Sequence, residues 1–222
     1  MNLSQLQTFV SVQLDDLNKT YFTAAQITVY LNNACREVQK LLLGANQNYY
    51  VKCVVTPLVS GQQSYALPQD FLQLNRLDII TNGTGANQTY YPVAPITINQ
   101  QDMVATYSAG DPSYYFIQKN RLMLYPWPQT AYTLRLRYSY LIPNMVNESD
   151  VPDVPEQYHE SVGYIACIDG LLRDGRDASF FLRKREELIE RLKEDADERN
   201  KDVSRSIVVT DFGMGNNSYG FY

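Results

Sequence analysis

The chain reads as an α+β protein in which helical hairpins at the N- and C-termini share one four-helix core, with an antiparallel β-module inserted between them and an extended C-terminal tail. Three observations predict this. Apolar residues recur at three- and four-residue spacing up to Gly44 and again from Val154 to Asn200. Between these regions the period falls to two, the spacing of a half-buried strand. Each hairpin also carries an apolar stripe that two helices alone cannot bury, so the two are expected to cover one another. The divisions that follow are a hairpin over 1–48, a β-module over 49–141, a connector over 142–153, a second hairpin over 154–200 and a tail over 201–222.

Leu3, Leu6, Phe9, Val10, Leu14 and Leu17 form a helical stripe, which Asn18-Lys19-Thr20-Tyr21 interrupts. Thr23-Ala24-Ala25-Gln26 is a capping box, in which the threonine hydroxyl and the glutamine amide satisfy each other's backbone donors. Ile27, Tyr30, Leu31, Ala34, Val38, Leu41 and Leu42 continue an amphipathic helix that Gly44 can end. From Tyr49, Val51, Cys53 and Val55 alternate with Lys52, Val54 and Thr56. Ser60-Gly61-Gln62-Gln63 then turns the chain into Ser64–Leu67. Leu72–Ile80 is a strand followed by the turn-rich Asn82-Gly83-Thr84-Gly85, and Tyr90–Ile96 an edge strand, because Pro92 and Pro95 lack ladder donors. Asn99–Tyr107 is expected as a short helix. Tyr114–Gln118 and Arg121–Tyr125 form a hairpin around Lys119-Asn120. In Thr133–Leu141 the alternation of Leu134, Leu136, Tyr138 and Tyr140 with Arg135, Arg137 and Ser139 predicts one buried and one wet face.

Val154-Pro155-Glu156 opens the second hairpin, with a proline where the first turn has no use for its N–H. Tyr158, Val162, Ile165, Ala166 and Leu172 share a face. Asp174-Gly175-Arg176-Asp177 ends that helix and caps the next, on which Phe181, Leu188, Ile189 and Leu192 oppose Arg183, Lys184, Glu187, Glu190 and Arg191. A turn this short makes the pair antiparallel.

Composition excludes several classes of function. With 24 acidic against 19 basic residues the net charge is −5, the wrong sign for a protein that grips nucleic acid through phosphates. No apolar run approaches membrane-spanning length, and Met1–Gln5 lacks the features of a signal peptide. Cys35, Cys53 and Cys167 are too widely spaced for a metal site and read as buried or half-buried thiols; the single histidine, His159, reads as a surface residue beside Glu160. No nucleophile elbow, phosphate loop or Cys/His pair is present, so neither a catalytic residue, a cofactor nor a metal is expected. Tyr125-Pro126-Trp127-Pro128 reads as a packed turn, with a carbohydrate-binding platform as the competing interpretation.

The 18 tyrosines suit an interface as well as strands. In the tail, Ile207, Val208 and Val209 have strand propensity, while Phe212, Tyr219, Phe221 and Tyr222 stand among glycines and asparagines. These seven residues are the candidate partner-binding set: the aliphatic ones to add a strand to a sheet edge, the aromatic ones to anchor in pockets.

One ordered set of motifs resembles the head-to-tail adaptor, or connector, proteins of tailed bacteriophages. It runs through Leu31-Asn32-Asn33-Ala34-Cys35-Arg36-Glu37, Gly61-Gln62-Gln63-Ser64-Tyr65-Ala66-Leu67-Pro68-Gln69-Asp70-Phe71 and Gly110-Asp111-Pro112-Ser113-Tyr114-Tyr115. Arg121–Pro126, Tyr132–Tyr138 and Val154-Pro155-Glu156-Gln157-Tyr158-His159-Glu160 complete it, so that residues 20–195 are covered. The acidic end of the last helix and the aromatic tail are outside the pattern. The resemblance implies a structural virion protein and not an enzyme. It implies a ring, usually of twelve copies, between the portal protein and the tail or nozzle proteins, through which DNA passes without specific binding.

Overall fold

The computed structural model describes residues 1–18, 20–82, 89–97, 99–100 and 109–205, with the backbone but not the side chains of 81–82 and 196–205. Among these residues the chain is mixed α+β, with four helices and two four-stranded sheets. The helices are α1 (Leu3–Gln13), α2 (Ala24–Ala45), α3 (His159–Arg173) and α4 (Ser179–Arg205).

Both N-terminal helices begin with capping boxes. Thr23 and Gln26 form the expected one. Asn2 and Gln5 form another that sequence reading passed over, an asparagine standing where the motif usually has Ser or Thr. The first stripe does not reach Leu17, which is 68% exposed. The Asp16 carboxylate collects the N–H groups of Phe22, Tyr21 and Thr20 at 2.7–3.0 Å, and this bonding builds the turn that ends α1.

The second hairpin starts later than expected. Pro155 is extended, Glu156–Tyr158 make a single 3-10 turn, and α3 begins at His159. His159 is not a surface residue but 3% exposed. Its Nε2 lies 2.9 Å from the Val154 carbonyl oxygen and its Nδ1 2.7 Å from the Met1 nitrogen, so ring contacts with two other segments bury a residue whose neighbours in sequence are polar. Gly175, at φ +68°, ends α3 as predicted, and Asp177 accepts the Ser179 N–H at the start of α4. Gly163 has a packing role instead: an added Cβ would stand 2.5 Å from the Phe9 ring, so α1 and α3 approach closely there.

Buried residues of all four helices, among them Leu6, Val10, Leu31, Val38, Val162, Ile165, Leu188 and Leu192, form one apolar cluster, extended by Ile142 and Met145 of the connector. Glu37 of α2 pairs with Arg185 of α4 at its margin.

The strands are β1 (Val51–Pro57), β2 (Ser64–Ala66), β3 (Phe71–Asn82), β4 (Thr89–Pro92), β5 (Ala94–Pro95), β6 (Tyr114–Gln118), β7 (Arg121–Tyr125) and β8 (Thr133–Tyr140). One sheet has the order β1-β8-β3-β4, the other β2-β7-β6-β5. Their facing residues, including Leu77, Ile79, Leu134, Leu136, Tyr65, Leu122 and Leu124, make a second apolar core.

The segment 90–96 is two edge strands rather than one. Val93, buried and bonded through its N–H to the Leu77 carbonyl, carries the chain from β4 on the first sheet to β5 on the second. β8 has no wet face: Arg135 and Ser139 are buried with Leu134, Leu136 and Tyr138, because β8 lies between β1 and β3 and its polar residues find partners there. Cys53 of β1 is exposed, in contrast to Cys35 and Cys167, both buried in the helical cluster. Of the short helix expected at Asn99–Tyr107, Asn99 and Gln100 are helical and residues 101–108 lie outside the described residues.

Candidate functional site

Gln39 of α2 is 1% exposed; its Nε2 donates to the Tyr140 carbonyl at 2.6 Å and its Oε1 accepts the Ile142 N–H at 3.4 Å. Two turns earlier, Asn32 grips Met145 by both its N–H and its carbonyl. The hydroxyls of Tyr50 and Tyr140 both donate to Asp153, the first to its carbonyl and the second to its carboxylate. Lys52 ion-pairs with Asp70 at 2.6 Å and lies 3.9 Å from the centre of the Tyr140 ring. Helices, connector and sheet are thus fastened by short polar contacts. The Lys52 bond, aided by the Tyr138 hydroxyl, holds the Asp70 carboxyl below its usual value. Burial, reinforced by Asp70 and Asp153 respectively, pushes the Tyr138 and Tyr140 hydroxyls up to about 12.

Many tyrosines therefore act inside the chain. Besides Tyr138 with Asp70 and Tyr140 with Asp153, Tyr21 donates to Asp174, Tyr132 to Asp111 and Tyr158 to Asp195. Each pair joins separate segments, and the acid gains a donor without a formal positive charge. Trp127 is half-buried in a turn whose backbone is bonded to Gly61 and Gly110, as expected of a packed turn.

On the outer face of the first sheet, Asp78 is fully buried between Arg135, at 2.6 Å, and Arg76, at 2.7 Å. Burial works against its charge, but the two guanidinium groups outweigh it and hold the carboxyl low. Tyr90 covers Arg135, the guanidinium carbon 3.4 Å from the ring centre. The alternation of β8 concealed this cluster, because an arginine in strand register looks solvent-facing until its partner on β3 is known.

The thiols of Cys35 and Cys167 are pushed up to about 12 by burial, which leaves them poor nucleophiles. Among the described residues no three His, Cys, Asp or Glu side chains converge to hold a metal ion, and no helix is long and apolar enough to cross a membrane. What the described surface offers is apolar contact. At the hairpin-turn end of the helices, Val12, Leu17, Tyr21, Leu172, Phe180 and Leu182 are exposed. Tyr21 and Asp174 tie the two turns together there. Val146 and Val151 project from the connector, and Val51, Val55 and Val59 line the outside of β1 and its exit. The seven partner-binding candidates Ile207, Val208, Val209, Phe212, Tyr219, Phe221 and Tyr222 all lie outside the described residues.

No curated protein matches the chain. A family model does match, that of the SU10 adaptor protein, over residues 1–209, which takes in both apolar cores, the connector and the aliphatic start of the tail. On that match the chain belongs to the SU10 adaptor protein family, a family of phage head-to-tail adaptors.

Proposed function

We propose that this phage adaptor is a structural, non-catalytic virion subunit. In this reading it closes into a ring, of about twelve copies by resemblance, between the portal and the tail or nozzle proteins. The ring extends the channel through which DNA passes without being bound specifically. The observation that carries the proposal is the family match over residues 1–209. Short polar contacts that fasten the helices to the connector and the β-module suit this reading, in which the terminal hairpins work as one four-helix unit. A net charge of −5 also suits a wall that DNA slides past, since a basic wall would hold it by phosphate contacts.

The tail from Ser206 is the attachment device of this proposal, its aliphatic residues adding a strand and its aromatic residues anchoring in a partner. Ordering such a segment costs on the order of 1–2 kcal/mol per residue in backbone entropy, so it requires a partner surface to compensate. Deleting Ile207 to Tyr222 is expected to leave the thermal midpoint nearly unchanged and to abolish attachment to the portal. Normal attachment by the truncated protein contradicts this role.

A further inference from the structure

Two sheets have four edges, and in this subunit three of them are blunted. β2 has three residues, β4 has four and ends in Pro92, and β5 has two and ends in Pro95. Short length and proline are the ordinary means by which a sheet edge is kept from pairing with another chain. β1 is longer: its seven residues pair with β8 on one side only, and six of them, 51–56, precede its terminal proline, Pro57. Its one charged residue, Lys52, is held by Asp70.

The bonding phase of β1 can be read from its ends. The Tyr140 N–H donates to the Tyr50 carbonyl and the Leu58 N–H to the Tyr132 carbonyl, so the even-numbered residues between them face β8. The backbone groups of Val51, Cys53 and Val55 therefore point away from the sheet, and among the described residues they have no partner. Beside this edge a cavity of about 200 Å³ opens between the two sheets, lined by apolar residues that include Val54, Leu67, Leu122 and Leu136. An apolar cavity of about 150 Å³ already admits a benzene molecule, so there is room here for aliphatic side chains.

We infer that β1 is a strand-addition site, and that residues 206–210 of a neighbouring copy occupy it. The inference rests on the ring reading above and names one of its contacts. Ser206-Ile207-Val208-Val209-Thr210 contains no proline, glycine or charge, and its last four residues are β-branched with strand propensity. The last described side-chain contact of α4 is that of Asp195 with Tyr158, and the helix continues to Arg205, 205 − 195 = 10 residues further. At 1.5 Å per residue the end of the helix stands roughly 15 Å beyond this contact, and residues 206–210 follow it directly in the sequence. Side chains of an added strand alternate between faces. With Val208 set beside Cys53 on the outer face, between Val51 and Val55, Ile207 and Val209 would fall on the inner face beside Lys52 and Val54, of which Val54 lines the cavity.

Cys53 makes the test direct, being the exposed thiol while Cys35 and Cys167 are buried. Full-length Val208→Cys protein is assembled on portal, oxidised with diamide and run under denaturing, non-reducing conditions. The expected result is a ladder of covalently joined subunits, lost when Cys53→Ser is added. Ile207→Cys and Val209→Cys should cross-link at least about tenfold less, because thiols on opposite faces of a sheet cannot meet disulfide geometry. Rings that form normally but give no ladder overturn the inference and leave the ring reading standing. Equal cross-linking at all three positions, or a disulfide confined to single subunits, overturns it as well. If the unaltered protein forms no ring with portal, the ring reading falls and this contact falls with it.

Discussion

Gln39 and Tyr140 are the point at which the helices hold the β-module: the glutamine amide donates to the Tyr140 carbonyl at 2.6 Å from a position that is 1% exposed. Replacing Gln39 by Leu removes that donor and the acceptor for the Ile142 N–H. Leaving buried backbone groups unsatisfied costs roughly 1–3 kcal/mol each. Denaturant unfolding of Gln39→Leu should show a lower midpoint, and an unchanged midpoint would mean that the junction does not depend on this bond.

Asp78 offers a second stability test, inside the β-module. Arg135 opposes it in strand register, and both are buried, so Asp78→Ala leaves a guanidinium without its carboxylate. Breaking such a pair from one side costs about 3–5 kcal/mol. The same substitution at Asp70, whose partner Lys52 is about half exposed, should cost much less. Comparing the two by thermal unfolding checks whether burial sets the difference.

Acid sensitivity should be visible at the first turn. The backbone N–H of Phe22, with those of Thr20 and Tyr21, holds the Asp16 carboxyl below its ordinary value of 3.8. A carboxyl whose pKa is lowered on folding stabilises fully above the unfolded value, and that contribution is lost as pH falls through the folded one. The stability difference between the parent chain and Asp16→Ala should therefore be constant above about pH 5 and shrink below it. A difference that grows on acidification would contradict the assignment.

How much of this could be read beforehand follows from what each feature depends on. Helices α2, α3 and α4, the hairpin at Lys119-Asn120 and the turn at Gly61 were legible because period, capping box and turn residues are local signals. Where partners distant in sequence decide, the reading failed. Burial of His159 depends on Met1 and Val154, burial of Arg135 on Asp78, and exposure of Cys53 on β1 having a neighbour on one side only. Val93 carried no sign that the chain changes sheets there, since Pro92 and Pro95 mark edges without saying of which sheet. The family was legible because ordered motifs survive such local errors. The contact residues of the tail were named from composition alone and lie outside the described residues.

The central claim is that the subunit is built to close into a ring on the portal, and mass measurement with electron microscopy of the purified protein, alone and with portal, tests it most directly. The expected result is a monomer or weakly associated species alone and a closed ring of about twelve copies, coaxial with the channel, when portal is added. A stable dimer that is indifferent to portal would contradict it.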